Sequence, residues 1–251
     1  MTRILITGSA DGLGQMVARE LVAQGHEVVL HARNKRRADD ALRAVPEAAA
    51  VLVGDLASID ETRDLAAQAN ASGRFDVVVH NAAVGYQEPR IETVDGLEHV
   101  FAINTLAPYL LTALITRPDR LIYLSSGMHM QGHFRSESFK GQVRRISYSD
   151  SKLHVLMLTK AVARRWTDVY SNAVDPGWVP TKMGGKGAPD DLKKGYETQV
   201  WLSTSNDAEA RVSGNYFHHQ KVTHHNPEAD DVRLQERFLS LCEEVTGVSF
   251  P

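Results

Sequence analysis

The 251-residue chain predicts an α/β fold, a parallel sheet with helices on both faces. Three observations carry that prediction. Short apolar runs alternate with helix-spaced apolar residues from residue 3 to about residue 218. A glycine-rich turn, Thr7-Gly8-Ser9-Ala10-Asp11-Gly12-Leu13-Gly14, lies between the first apolar run and the first helical pattern. The long irregular stretches, residues 83–92, 127–147 and 177–192, all follow strands, the side on which such sheets bind ligands.

In chain order, Arg3-Ile4-Leu5-Ile6-Thr7 reads as a buried strand, and Leu13, Val17, Ala18, Leu21 and Val22 as a helix stopped at Gly25. Glu27–His31 and Ala50–Val53 are the next strands. Residues 58–70 form a helix with Ser58 as N-cap and Glu61 three residues on. Asp76–His80 is the fourth strand and Arg120–Leu124 the fifth, with a helical apolar stripe from Leu97 to Ile115 between them. Ser147 to Trp166 is helical, Tyr170–Val174 a sixth strand, Asn215–His218 a seventh, and Pro227–Val245 a closing helix. No repeat or linker divides the chain, so one domain is expected over residues 1–251.

Composition limits the function classes. A net charge of −3 gives no broad field for nucleic acid or an anionic membrane. No apolar run reaches spanning length, and the first strand begins at Arg3, so neither a membrane segment nor a leader is expected. The single cysteine, Cys242, excludes an internal disulfide and fits a reducing, cytoplasmic setting. The pairs His218-His219 and His224-His225 suggest metal ligands, but adjacent strand residues point to opposite faces, and no metal site is expected.

Two constellations carry chemistry. Absent side chains at Gly8, Gly12 and Gly14 let backbone approach a pyrophosphate, and the N-terminus of the following helix favours its charge. Tyr148 and Lys152, four residues apart in Ser-Tyr-Ser-Asp-Ser-Lys, share one helix face. A neighbouring ammonium lowers a tyrosine pKa from about 10, which suits proton exchange with a substrate oxygen.

The Gly-x-x-x-Gly-x-Gly spacing together with Tyr148 and Lys152 resembles the short-chain dehydrogenase/reductase family over most of the chain. The resemblance implies a Rossmann-type sheet of about seven strands in the order 3-2-1-4-5-6-7. It also implies catalytic Asn104, Ser126, Tyr148 and Lys152, and a carbonyl/alcohol oxidoreductase using a nicotinamide cofactor. Ser126 would orient the substrate carbonyl, and Asn104 would hold a water joining Lys152 to solvent. The implied cofactor contacts are Gly8, Ser9, Asp11, Gly12, Leu13, Gly14, Arg33, Asp55, Leu56, Asn81, Ala82, Ala83, Tyr148, Lys152, Pro176, Gly177, Val179 and Thr181. Ala83 departs from the family's usual glycine.

The second strand ends His31-Ala32-Arg33, without the acidic residue that would select NAD(H). Arg33 offers a planar fork for a 2′-phosphate, and Lys35, Arg36 and Arg37 add positive potential, so NADP(H) is expected, with NAD(H) the alternative. The long interval from Ser126 to Tyr148 resembles retinol dehydrogenase-like and carbonyl reductase-like members, whose retinoid substrate is not carried over. Met128, His129, Met130, Phe134 and Trp178 are expected to line the substrate pocket, and Gly184-Gly185-Lys186-Gly187 to form a lid or a connector. A nucleotide sensor without turnover and a sugar-nucleotide epimerase or dehydratase are the rival functions. Monomer, homodimer and homotetramer all remain open.

Overall fold

The computed structural model describes residues 1–87, 89, 91–139 and 146–251. Eight strands form one sheet in the order β3-β2-β1-β4-β5-β6-β7-β8. Seven are parallel: β1 (Arg3–Ile6), β2 (Glu27–Ala32), β3 (Ala50–Val53), β4 (Val77–His80), β5 (Arg120–Leu124), β6 (Tyr170–Asp175) and β7 (Tyr216–His218). The sequence predicts these seven and their order. It does not predict the eighth, β8 (Lys221–Val222), which pairs antiparallel to β7. His219 and Gln220 join the two with φ of +48° and +63°, a two-residue hairpin turn built without glycine. The turn also overrides the expectation that His218 and His219 diverge. Because the strand ends at His218, the two rings stack 3.8 Å apart.

The central strands are near-continuous apolar runs because both their faces are covered. Ile4, Ile6, Val28, Leu30, Val77 and Val79 pack on one side with Val17, Ala18 and Leu21 of α1 (Gly12–Ala23). Leu5, Val29, Val78 and Leu121 pack on the other, with Leu65 of α3 (Ile59–Ala71), Leu110 of α5 (Ala107–Leu114) and Leu156 of α6 (Tyr148–Arg165). The predicted stripe from Leu97 to Ile115 is a short α4 (His99–Phe101), a π-helical segment (Ala102–Leu106) and α5.

Two helices escape the periodicity. In α2 (Lys35–Ala44) only Ala38 and Ala41 are buried. In α7 (Leu192–Thr204) the buried face holds Gly195, Thr198, Gln199 and Ser203 beside Val200 and Leu202, too polar a stripe to stand out. The closing segment is a 3-10 turn (Pro227–Asp230) followed by α8 (Val232–Thr246). Among the described residues no helix is long and apolar enough to cross a membrane.

Candidate active site

The carboxyl ends of β1, β2, β4, β5 and β6 bring the sequence-predicted residues to one edge of the sheet. At β1 the chain turns through Gly8 (φ +62°) into α1. A Cβ on Gly8 would stand 2.8 Å from the Ala82 Cα, and one on Gly14 would stand 2.3 Å from the Asn81 side chain and 2.6 Å from the Gly8 carbonyl. Close backbone contact, not only turn conformation, therefore demands glycine at both positions. Asn81 ties the loop down, its Nδ2 donating to the carbonyls of Thr7 (2.9 Å) and Gly8 (3.1 Å). Thr7 Oγ1 in turn accepts from the amides of Asn81 and Ala82.

Buried His31, to which no sequence motif points, completes this support. Its Nδ1 accepts from the Gly8 amide at 2.9 Å, so its Nε2 carries the proton donated to the Gly54 carbonyl at 2.9 Å. Burial holds its pKa below the ordinary histidine value, which keeps that neutral arrangement.

The residues fit a dinucleotide. The amides of Gly12, Leu13 and Gly14 open α1 and make no hydrogen bond among the described residues, as first-turn amides do. Nothing lies within 4 Å of the place a Gly12 Cβ would occupy, so the loop's outer surface is open at that point. At the end of β2, Arg33 is exposed and has no partner among the described residues. Arg37, by contrast, is committed: its guanidinium binds Asp11 at 2.6 Å and Asp40 at 3.2 Å. Lys182 reaches the same Asp11 carboxylate at 2.9 Å, joining the segment after β6 to the glycine loop. Asp55 accepts from the Ala57 amide, and Leu56 is buried beneath it.

At the other end of the site, Ser147 and Asp150 form a reciprocal capping box that starts α6 at Tyr148. The Tyr148 hydroxyl meets Ser126, which lies just beyond β5. One helical turn on, buried Lys152 stands 5.5 Å from the centre of the Tyr148 ring, and its Nζ donates to the Leu124 carbonyl at 2.8 Å. Ser125 holds the same turn of α6 by donating to the Lys152 carbonyl.

Asn104 sits in the π-helical segment, a kind of bulge frequent at functional sites. Its amide donates to Val84 O (3.0 Å) and Ser151 Oγ (3.1 Å), and its carbonyl accepts from Val84 N (2.8 Å). One acceptor position of its carbonyl is left for the expected water.

The electrostatics correct one sequence-based expectation. The Tyr148 phenol is pushed up to about 12, not lowered: burial is the largest cause, the Ser126 contact opposes it, and Asp175 adds to it. Burial governs Lys152 as well. Its own pKa falls to about 7, burial outweighing the attraction of Asp175.

Beside Tyr148 opens a cleft of about 520 Å³, lined by Tyr86, Ile91, Val100, Met128 and Ile146 among others. The Tyr86 ring meets the Tyr148 ring edge-on at 6.1 Å. Of the expected pocket residues, Met128 lines this cleft and exposed Met130 does not. His129 and Phe134 turn inward. His129 donates to Ser126 O and accepts from Asn226 N, while Phe134 packs against Phe139, His154 and Phe238. Glu88, Arg90 and residues 140–145, within the expected substrate loops, lie outside the described residues. Trp178 donates to Gly184 O, so the glycine-rich segment is folded as a turn against the Pro176-Gly177 corner.

Val179 of that corner is buried, and Thr181 N closes on Val179 O at 2.8 Å. Gly195 lets α7 lie against it, since a Cβ there would meet Val179 Cγ1 at 2.7 Å and Pro176 O at 3.1 Å. Gly195 and His31 are supporting positions that the sequence reading missed. A glycine inside an unrecognised helix and a histidine inside a strand carry no pattern that would flag them.

A profile described as short chain dehydrogenase matches residues 2–191. An uncharacterized oxidoreductase of Emericella nidulans is 46% identical over 256 residues, covering 100% of this chain and 99% of its own. Retinol dehydrogenase 13 of Mus musculus is 28% identical over 283 residues, covering 98% of this chain and 84% of its own. A crystal structure of an uncharacterized protein from Mycobacterium paratuberculosis superposes with a TM-score of 0.83 at 26% identity, covering 100% of this chain and 95% of that one. The chain thus belongs to the short-chain dehydrogenase family, and its sheet order is the one that the resemblance implied.

Proposed function

We propose that the protein is an NADP(H)-dependent oxidoreductase that interconverts a carbonyl and an alcohol, with Tyr148 as its acid/base. The observation that carries this reading is the meeting of the Tyr148 hydroxyl with Ser126 above buried Lys152, at the carboxyl end of β5 and beside an open cleft. A nicotinamide, when bound, supplies or accepts the hydride.

The protein's residues do the rest. In reduction, the Tyr148 hydroxyl gives its proton to the carbonyl oxygen as the carbon gains hydride, and the proton is regained from solvent. Ser126 donates a hydrogen bond to the same oxygen and fixes its approach. Lys152 stabilises the phenolate left behind when it is charged, and Asn104 holds the α6 turn through Ser151. Gly8, Ser9, Asp11, Gly12, Leu13 and Gly14 would cradle the pyrophosphate, Asp55, Leu56 and Asn81-Ala82-Ala83 would flank the adenosine, and Pro176, Gly177, Val179 and Thr181 would hold the nicotinamide. Arg33, without a partner among the described residues, supports NADPH over NADH, because its guanidinium is available to a 2′-phosphate.

The test is a fluorescence titration of NADPH against NADH, followed by a panel of ketones and aldehydes with the bound cofactor. Tighter NADPH binding with carbonyl-dependent oxidation is the expected result. NADPH binding with no oxidation on any carbonyl would favour a nucleotide sensor.

A further inference from the structure

We infer that buried His129 is a positioning residue for Ser126: it ties the Ser126 backbone to Asn226, just before the closing segment, and so sets the Ser126 hydroxyl for the substrate oxygen. This inference rests on the function proposed above. It gives a role to a histidine that the sequence reading placed in the substrate pocket.

Ser126 lies where the sheet no longer holds the chain. The register of β5 with β6 ends at Leu124, and the Ser125 amide still donates to Val174 O at 2.8 Å. Ser126 comes one residue later, at the start of the 3-10 turn Gly127–Gln131. On one side this corner is docked on α6, where Ser125 Oγ donates to the Lys152 carbonyl at 2.9 Å. On the other, one residue supplies two donors to the Ser126 carbonyl: His129 N at 3.0 Å and His129 Nδ1 at 2.7 Å. Both lone pairs of that carbonyl are thereby used. Ser126 Oγ accepts from Met128 N at 3.3 Å, which leaves its own proton to donate.

The ring of His129 is itself held. Its Nε2 accepts from the amide of Asn226, 97 residues later, at 3.2 Å. Asn226 is buried, and its Nδ2 donates to the His129 carbonyl at 3.3 Å and the Gly132 carbonyl at 2.9 Å. Its Oδ1 accepts from Glu228 N at 3.0 Å, which fixes it to the turn Pro227–Asp230. The Tyr216 ring of β7 meets the His129 ring edge-on, with centroids 4.6 Å apart. Both ring nitrogens face backbone groups, one a carbonyl that must accept and the other an amide that must donate. A neutral imidazole protonated at Nδ1 satisfies both, and an imidazolium does not. Burial lowers the His129 pKa, against the opposing Ser126 hydrogen bond, which keeps that neutral form.

His129 is fully buried and does not line the cleft, so it acts through Ser126 and not on the substrate. The precision matters because a misplacement of about 1 Å at a reacting group can cost on the order of 10²-fold in rate.

His129→Phe tests this, because a phenyl ring keeps the contact with Tyr216 and lacks both nitrogens. On a carbonyl that the parent reduces, kcat should fall roughly 10- to 100-fold while the dissociation constant of NADPH stays near the parent's. In a Ser126→Ala background the same substitution should cost about twofold or less, because the group it positions is already gone. His129→Asn, whose amide can take the place of Nδ1, should recover part of the loss. Isotope labelling of serine carbonyls with glycine amides isolates the Ser126–Gly127 peptide in an NMR spectrum. Its carbonyl resonance should move in His129→Phe and return toward the parent in His129→Asn. Should His129→Phe not fold, His129→Gln, which keeps an oxygen for Asn226 N but no donor at the Nδ1 place, carries the same comparisons. Equal losses in the two backgrounds would overturn the inference, as would an unmoved Ser126 carbonyl resonance. A moved resonance in a protein whose parent turns over no carbonyl would leave the positioning of Ser126 standing and remove the proposed function instead.

Discussion

Arg33 and Arg37, four residues apart, have the same chemistry and different assignments because of what surrounds them. Arg37 already spans Asp11 and Asp40, whereas Arg33 is exposed without a partner among the described residues. The sequence suggested a shared basic cluster, since it shows charges but not their pairing. Arg33, Lys35 and Arg36 of that turn have no charged partner among the described residues. Arg33→Asp should therefore weaken NADPH and improve NADH, changing the ratio of their dissociation constants by roughly tenfold or more. An unchanged ratio in a paired titration would refute the assignment. The tyrosine shows the converse problem. Helical spacing placed Tyr148 and Lys152 correctly on one face, but their pKa directions depend on burial and on Asp175, which is distant in sequence.

At the scale of the element, what the sequence made legible were strands and helices with a clean apolar period. All seven parallel strands, the helix on Ser58 and the Tyr148 helix lie within a residue or two of expectation. The misses have a common cause. Helix α7 buries small and polar residues because it lies close against the Pro176-Gly177 corner through Gly195, and β8 is two exposed residues paired to an edge strand. Neither leaves an apolar signature. The glycine loop was legible in position but not in its support by Asn81, Thr7 and His31, because those hydrogen bonds join β1, β2 and β4 across the sheet. Gly14→Ala should force a methyl into Asn81 and the Gly8 carbonyl. We expect it to cost about 1–3 kcal/mol of stability in a denaturant titration and to weaken NADPH binding. A variant matching the parent in both would show that the loop has slack the geometry denies.

For the whole molecule, the buried histidines set an acid limit. His80 stacks on Tyr123 inside the core with its pKa lowered to about 3 by burial, and His154 lies among Phe134, Phe139 and Phe238 with its pKa lowered to about 4 by burial, against a small opposing effect of Asp150. Both are neutral in the fold and bind protons readily once it opens. Their contribution is complete above the unfolded value of 6.5 and is lost as pH falls from there toward 4 and below. Urea midpoints should therefore decline steadily below about pH 6.5. A midpoint that is flat down to about pH 4.5 would mean that these rings accept protons within the fold.

The same sheet that buries those rings delivers the ends of β1, β2, β4, β5 and β6 to one edge, and the central claim is that proton transfer there belongs to the Tyr148 hydroxyl. The most direct measurement is turnover of Tyr148→Phe at saturating NADPH on a carbonyl that the parent reduces, with NADPH affinity measured on the same sample. The account predicts a loss of about 10²- to 10⁴-fold in kcat with affinity nearly unchanged. Turnover retained at the parent's rate would contradict it.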